Sequence, residues 1–319
     1  MRKQLFGSLL SALFRHDFTP GGSPLSPAFD EEIPTVDALW SALFQPPFTA
    51  YRREIALIAA HLSEAAETGD GGDITARYRD YGFPSDGVAV GNYRRNTGGA
   101  MDIGRGKPSL AFAVGCRPLN EDSALLAVTA RGAVNVWELY RALTTDPVCP
   151  FRGLAVYDVV SEFADELSAG LHRYLTRHRE LSGKRLLLLL AGHSLGGAAV
   201  NLLAARWLEQ PPEWTDRRRI VCYTFGAVDV FDGEKASHAP VIAGFEAIHN
   251  VYNEEDDFGP VGHGLYGIPP LMAKGCHQRG KFGYLYTFDR DYRKIRKSAS
   301  PNHDMCVYLS ALRREGLFW

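Results

Sequence analysis

The sequence predicts an α/β protein: a mostly parallel central sheet, helices on both of its faces, and an antiparallel N-terminal portion. Three observations carry that expectation. Strand-like and helix-like segments alternate through the second half of the chain, from about residue 156 onward, which marks a parallel sheet covered on both sides. Five consecutive leucines, Leu186 to Leu190, make a continuously apolar run too short for a typical helix, as a strand buried on both faces would be. That run leads into a serine set between glycines and directly ahead of an alanine-rich helix, "LLLLLAGHSLGGAAVNLLAARWLE".

The bulk properties fit such a core and exclude several classes of protein. At 319 residues and 45% hydrophobic, the chain is neither disordered nor fibrous. Its 35 basic and 37 acidic residues leave a formal net charge of -2, so no overall field draws it to nucleic acid. Five scattered cysteines, Cys116, Cys149, Cys222, Cys276 and Cys306, form no CxxC pair and no cluster at metal-ligand spacing. That sparse set points to a reducing compartment and a cytoplasmic protein, with secretion as the alternative.

Residues 1–30 read as an amphipathic helix and a linker, and residues 31–319 as one domain. Arg2-Lys3 and "LFGSLLSALF" have the look of a secretory signal, but no small-residue cleavage site follows. Leu5, Phe6, Leu9, Leu10, Leu13 and Phe14 instead line one helical face. No apolar run reaches the ~18 residues a membrane-crossing helix needs. After the Pro/Gly-rich stretch Thr19 to Pro27, helices are expected over Asp37 to Phe44 and Tyr51 to Ala66. In the latter, Ile55, Ile58, Ala59, Leu62 and Ala66 share a side.

From Asp73 the pattern shifts to short apolar runs between turn signals, "GVAVGNY", "SLAFAVGC" and "SALLAVTARG", read as successive strands. A helix over Val156 to Arg179 then leads to a strand, Arg185 to Ala191. A helix over Gly197 to Leu208 leads to the strand Ile220 to Phe225. A further strand spans Phe245 to Asn253, and a helix from about His303 to Arg314 closes the chain. The glycine- and aromatic-rich segment Asp257 to Arg296 is expected to be a long excursion over the sheet edge.

Gly192-His193-Ser194-Leu195-Gly196 is a G-x-S-x-G pentapeptide in the setting that gives it meaning, after a buried strand and at the start of a helix. There the serine occupies a strained turn with its hydroxyl presented at the carboxyl edge of the sheet. Glycine is required at 192 and 196 because side chains there would collide with the neighbouring strand or helix. Helix capping by Ser194 is the plain alternative, but a cap needs neither the flanking glycines nor the apolar strand. A serine hydroxyl becomes a useful nucleophile when a base takes its proton and a carboxylate orients that base. In this fold class the order along the chain is serine, acid, histidine. The acid should lie in "NVYNEEDDFGPVG", among Glu254, Glu255, Asp256 and Asp257, and the base later. His303 and His277 are both open on chain order; His249 lies inside the strand before the acid, and His193 is turned away by the elbow.

These residues resemble the class 3, or fungal-type, lipases of the α/β-hydrolase fold. G-H-S-L-G-G is unbroken from Gly192 to Gly197, "YTFGAV" is similar to the family's T-F-G-A-P with Val228 in place of proline, and "LLAVTARGAVNVW" resembles the strand and turn ending in R-G-[ST]. "IHNVYNEEDDF" is similar to the N-x-x-D-x-V signature and selects Asp256; "NHDMCVYL" resembles the histidine segment and selects His303. The likeness covers about residues 121 to 312. It implies a Ser194, Asp256, His303 triad, an oxyanion hole from the N–H groups of Leu195 and Ala133, and hydrolysis of lipid or small-molecule esters through an acyl-enzyme with no metal or cofactor. Two departures stand out: Ala133 replaces the usual Ser or Thr, removing a hydroxyl, and Gly259 stands where proline is common. The resemblance also implies a mobile helix over the site, for which "VNVWELYRAL", Val134 to Leu143, is the candidate, packing on the sheet being the alternative. The basic run Arg290 to Lys297 would suit a peripheral lipid interface with anionic head groups, a solvated loop being the alternative. A binding protein that kept the fold, or a serine hydrolase of thioesters or amides, are the rival functions.

Overall fold

The computed structural model describes residue 40 and residues 47–68, 71–91, 110–133, 147–231, 244–256, 280–291 and 301–313. The expected N-terminal helix, the stretch Val134 to Leu143, Asp257, Gly259, His277 and most of the basic run after Asp291 lie outside the described residues.

In chain order the elements are α1 (Arg53–Thr68), α2 (Gly71–Asp80), β1 (Val88–Gly91), β2 (Phe112–Asn120), β3 (Ser123–Ala130), β4 (Pro147–Phe151), β5 (Leu154–Tyr157) and α3 (Asp158–Arg177). Then follow β6 (Arg185–His193), α4 (Ser194–Glu209), β7 (Ile220–Phe225), β8 (Ile248–Asn253), β9 (Tyr284–Phe288) and α5 (Met305–Arg313). Seven strands form the main sheet in the order β1-β2-β3-β6-β7-β8-β9. The pairs β1/β2 and β2/β3 are antiparallel, and every pair from β3 to β9 is parallel. This is the predicted mostly parallel sheet with an antiparallel N-terminal portion, the arrangement of an α/β-hydrolase.

The leucine run occupies the centre. Leu186, Leu188 and Leu190 face a core shared with α3 and α4, while Leu187, Leu189 and Ala191 face one shared with α1 and α5. Alternation with period two thus places apolar side chains on both faces, which is why the run shows no polar residue. Each fully buried leucine contributes about 1.5–3 kcal/mol relative to exposure. Helix α4 is buried along nearly its whole length, and its small residues Ala198, Ala199, Ala204 and Ala205 let it lie close to the sheet.

Two expectations are corrected, and one hairpin had no expectation. Residues from Asp73 to Asp80 belong to α2, not to a run of strands: Ile74 and Tyr78, four apart, are its buried residues, so the helical period outweighs the turn-rich composition. The segment Asp257 to Arg296 contains a strand, β9, which pairs in parallel with β8 from His249↔Tyr284 to Asn253↔Phe288. Its half-exposed pattern gives it the weak signal of an edge strand. The hairpin of β4 and β5 forms a separate two-stranded sheet; Pro147 and Pro150 hide it, because proline argues against a strand. Among the described residues, no helix is long and apolar enough to cross a membrane.

Candidate active site

The site lies at the carboxyl edge of the parallel strands. β6 ends at His193 and α4 begins at Ser194 with no intervening residue. That junction puts Ser194 at φ +53°, one of two non-glycine residues with positive φ among those described. Such a conformation costs about 1–3 kcal/mol and persists only where its surroundings impose it. Here the surroundings are backbone. A Cβ at Gly192 would sit 2.7 Å from the carbonyl oxygen of Gly196, and one at Gly196 would sit 2.5 Å from the carbonyl oxygen of Ala130. The glycines are therefore needed for contact between strand and helix, and Ser194 takes up the strain. Its side chain is partly exposed between buried His193 and Leu195.

His303 stands just before α5, with its ring 4.5 Å from that of His193, centroid to centroid. Its Nδ1 lies 2.9 Å from both carboxylate oxygens of Asp256. Because a carboxylate accepts, Nδ1 carries the proton, and Nε2 is left as the basic nitrogen. Asp256 is completely buried and lies three positions beyond the end of β8, whereas Glu254 is exposed and Glu255 only partly covered.

Two kinds of residue that the sequence reading passed over hold this pair. Tyr308, on α5, donates its hydroxyl to Oδ2 of Asp256. Burial, followed by the neighbouring Asp256 charge, pushes its phenol well above the ordinary value, so it remains a donor. Asn302 donates to the Glu255 carbonyl at 2.8 Å, and Asn253 donates to the carbonyls of Arg290 at 2.9 Å and Asn302 at 3.3 Å. These bonds lace the loop bearing the acid to the segment bearing the imidazole. The sequence did carry a signal for Tyr308: Gly226 of "YTFGAV" has φ +51°, and a Cβ there would lie 2.5 Å from the Tyr308 hydroxyl and 3.0 Å from Oδ2 of Asp256. That glycine leaves room for the pair.

Ala130 pairs with Gly192 in the β3/β6 ladder, so the chain leaving β3 passes beside the elbow. A Cβ on Gly132 would lie 3.0 Å from that of Ser194. Ala133 follows, half-buried. Leu195 is the second residue of α4, where backbone N–H groups have no partner within the helix. His193 supplies no side-chain cap, and the positive end of the helix dipole points the same way. Both candidate oxyanion donors thus belong to backbone that flanks Ser194.

His249 is accounted for structurally. Its Nε2 faces the Thr49 carbonyl at 3.0 Å and its Nδ1 the Tyr286 hydroxyl at 3.1 Å. Burial lowers its pKa to about 4. Among the described residues, no group of three or more His, Cys, Asp and Glu side chains is arranged to hold a metal ion.

A strained serine between a central parallel strand and a helix, with a carboxylate-bound imidazole packed against the preceding residue, is the arrangement of the α/β-hydrolase class of protein. Residues 130–257 match the model of the class 3 lipase family. No curated protein matches it. Among solved structures it is similar to the triacylglyceride lipase of Rhizomucor miehei, at 22% identity and a TM-score of 0.38, over 56% of this chain and 61% of that one. It is likewise similar to a Rhizomucor miehei lipase in complex with its propeptide (19% identity, TM-score 0.43, 84% and 78%) and to M37 lipase (11%, 0.49, 82% and 94%).

Proposed function

We propose that the protein is a serine-dependent hydrolase of lipid esters, with Ser194 as nucleophile, His303 as general base, Asp256 as its orienting carboxylate, and the N–H groups of Leu195 and Ala133 as oxyanion donors. The observation that carries the reading is Ser194 at positive φ on the carboxyl edge of the sheet, next in the chain to His193, whose ring packs 4.5 Å from an imidazole already fixed by a buried acid. Ser194 Oγ attacks the ester carbonyl while His303 Nε2 takes its proton. Charge builds on the carbonyl oxygen, between the two backbone donors. His303 then returns the proton to the leaving alcohol, and water repeats the sequence to release the acid. Asp256, shielded from water, stabilises the imidazolium formed on the way.

A short nitrophenyl ester tests this directly. Wild type should hydrolyse it at least about 10³-fold faster than Ser194→Ala, and equal rates in the two proteins would end the hydrolase reading. Competition among oxygen esters, thioesters and peptides for labelling of Ser194 then fixes the leaving group. Comparing dispersed with aggregated glyceride tests whether the enzyme works at a lipid interface.

A further inference from the structure

Glu67 lies in the last turn of α1, 126 positions along the chain from His193 of the serine motif. A carboxylate there faces the negative end of its own helix dipole, an unfavourable place unless something else holds it. Two donors do. Its Oε1 accepts from the backbone N–H of Gly132, and the same oxygen lies 3.1 Å from Nδ1 of His193. The other ring nitrogen of His193, Nε2, lies 2.8 Å from the backbone carbonyl of His303; a carbonyl only accepts, so Nε2 donates there as Nδ1 donates to the carboxylate. One carboxylate oxygen thus joins the turn that presents Ala133, the residue before Ser194, and through that residue the backbone of His303. The bridge is well covered, with side chains 17% exposed for Glu67 and 7% for His193. Burial pushes the Glu67 carboxyl up, and the hydrogen bond and charge of His193, with the Gly132 N–H, outweigh it and hold it below the usual carboxylate range.

Resting on the hydrolase reading, we propose that Glu67 is a positioning residue of the acyl-transfer site: bridging Gly132 N–H and His193, it fixes the oxyanion turn, the serine elbow and the His303 backbone at one mutual spacing. Losing a bond of the bridge widens that spacing. The damage falls where charge develops, in the step after substrate is bound. It therefore appears in kcat, while KM is little changed.

The test uses the full chain, a short nitrophenyl ester, and a fluorophosphonate probe that titrates reactive Ser194, so that turnover is expressed per titrated serine. Glu67→Gln is isosteric and its carbonyl oxygen can still accept from both donors, but it carries no negative charge to strengthen those bonds; its kcat per titrated serine should fall about tenfold at unchanged KM. Glu67→Ala should fall further. A merely structural role would lower the fraction of titratable serine and the melting temperature while leaving turnover per serine intact. A Glu67→Gln turnover per titrated serine within twofold of wild type overturns the proposal, whether or not the alanine variant folds. If wild type neither labels at Ser194 nor outpaces Ser194→Ala, the hydrolase reading itself has failed, and the positioning role falls with it.

Discussion

The hydroxyl of Tyr308 is bonded to the carboxylate of Asp256, the same carboxylate that binds the imidazole of His303. The orienting acid is itself oriented, by a side chain from the helix that begins two residues after His303. Tyr308→Phe keeps the ring and its packing and removes one donor to a buried charge, a bond worth about 1.5–3 kcal/mol. The expected result is a kcat lowered roughly ten- to a hundredfold at near-constant KM, read by steady-state kinetics. A kcat equal to that of wild type would show that His303 alone holds Asp256 in place.

Gly226→Ala should be worse than its single methyl suggests. At φ +51° any side chain is strained, and the new Cβ would press on both Tyr308 and Asp256. Strain at a positive-φ site costs about 1–3 kcal/mol, which thermal melting would report. Activity should fall more than the melting temperature implies, because the methyl displaces the pair that holds His303. Loss of stability with turnover per titrated Ser194 preserved would refute this account of the glycine.

Ala133 offers a gain-of-function prediction. Its backbone N–H remains available, but the hydroxyl usual at this position of the resembled family is missing, and Ala133 is only half-buried. Ala133→Ser should raise kcat on a short ester by about tenfold or more if the hydroxyl adds a donor to the developing oxyanion. No change in kcat would mean that the two backbone donors already suffice.

The buried imidazole of His249 predicts a pH-dependent stability that is independent of catalysis. Its folded pKa, about 4, lies below the ordinary value of about 6.5. Between these values the unfolded chain binds a proton that the folded chain refuses, so stability rises with pH across this window and is lost as pH falls from about 6.5 towards 4. The full difference is about 3 kcal/mol. Urea unfolding at pH 4.5 and pH 7 should give a larger stability loss for wild type than for His249→Gln. Equal losses in the two proteins would mean that His249 titrates normally.

What could be read in the sequence was whatever a single local pattern dictates. The leucine run and the glycines around Ser194 act within a few residues of chain, and the strand, turn and helix appear where that pattern places them. Among four adjacent acids, the choice of Asp256 needed more than charge, and of the three that are described it is the one wholly buried, bonded to His303. The residues that were missed act across long separations: Tyr308 is 52 positions from Asp256, and Glu67 is 126 from His193. Nothing in the chemistry around a tyrosine or a helix-end glutamate says which distant donor or acceptor it will meet. The edge strand β9 and the proline-bearing hairpin escaped for a related reason, since their pairing partners and not their own composition make them strands.

The contact between Gly196 and the end of β3 has a bearing on how such an enzyme could change its habits. Main chain rests on main chain there, with no rotamer left to adjust, so the floor beneath the serine turn is cast as one piece. Laboratory evolution towards a different acyl group would have to leave that floor alone and work on the walls above it.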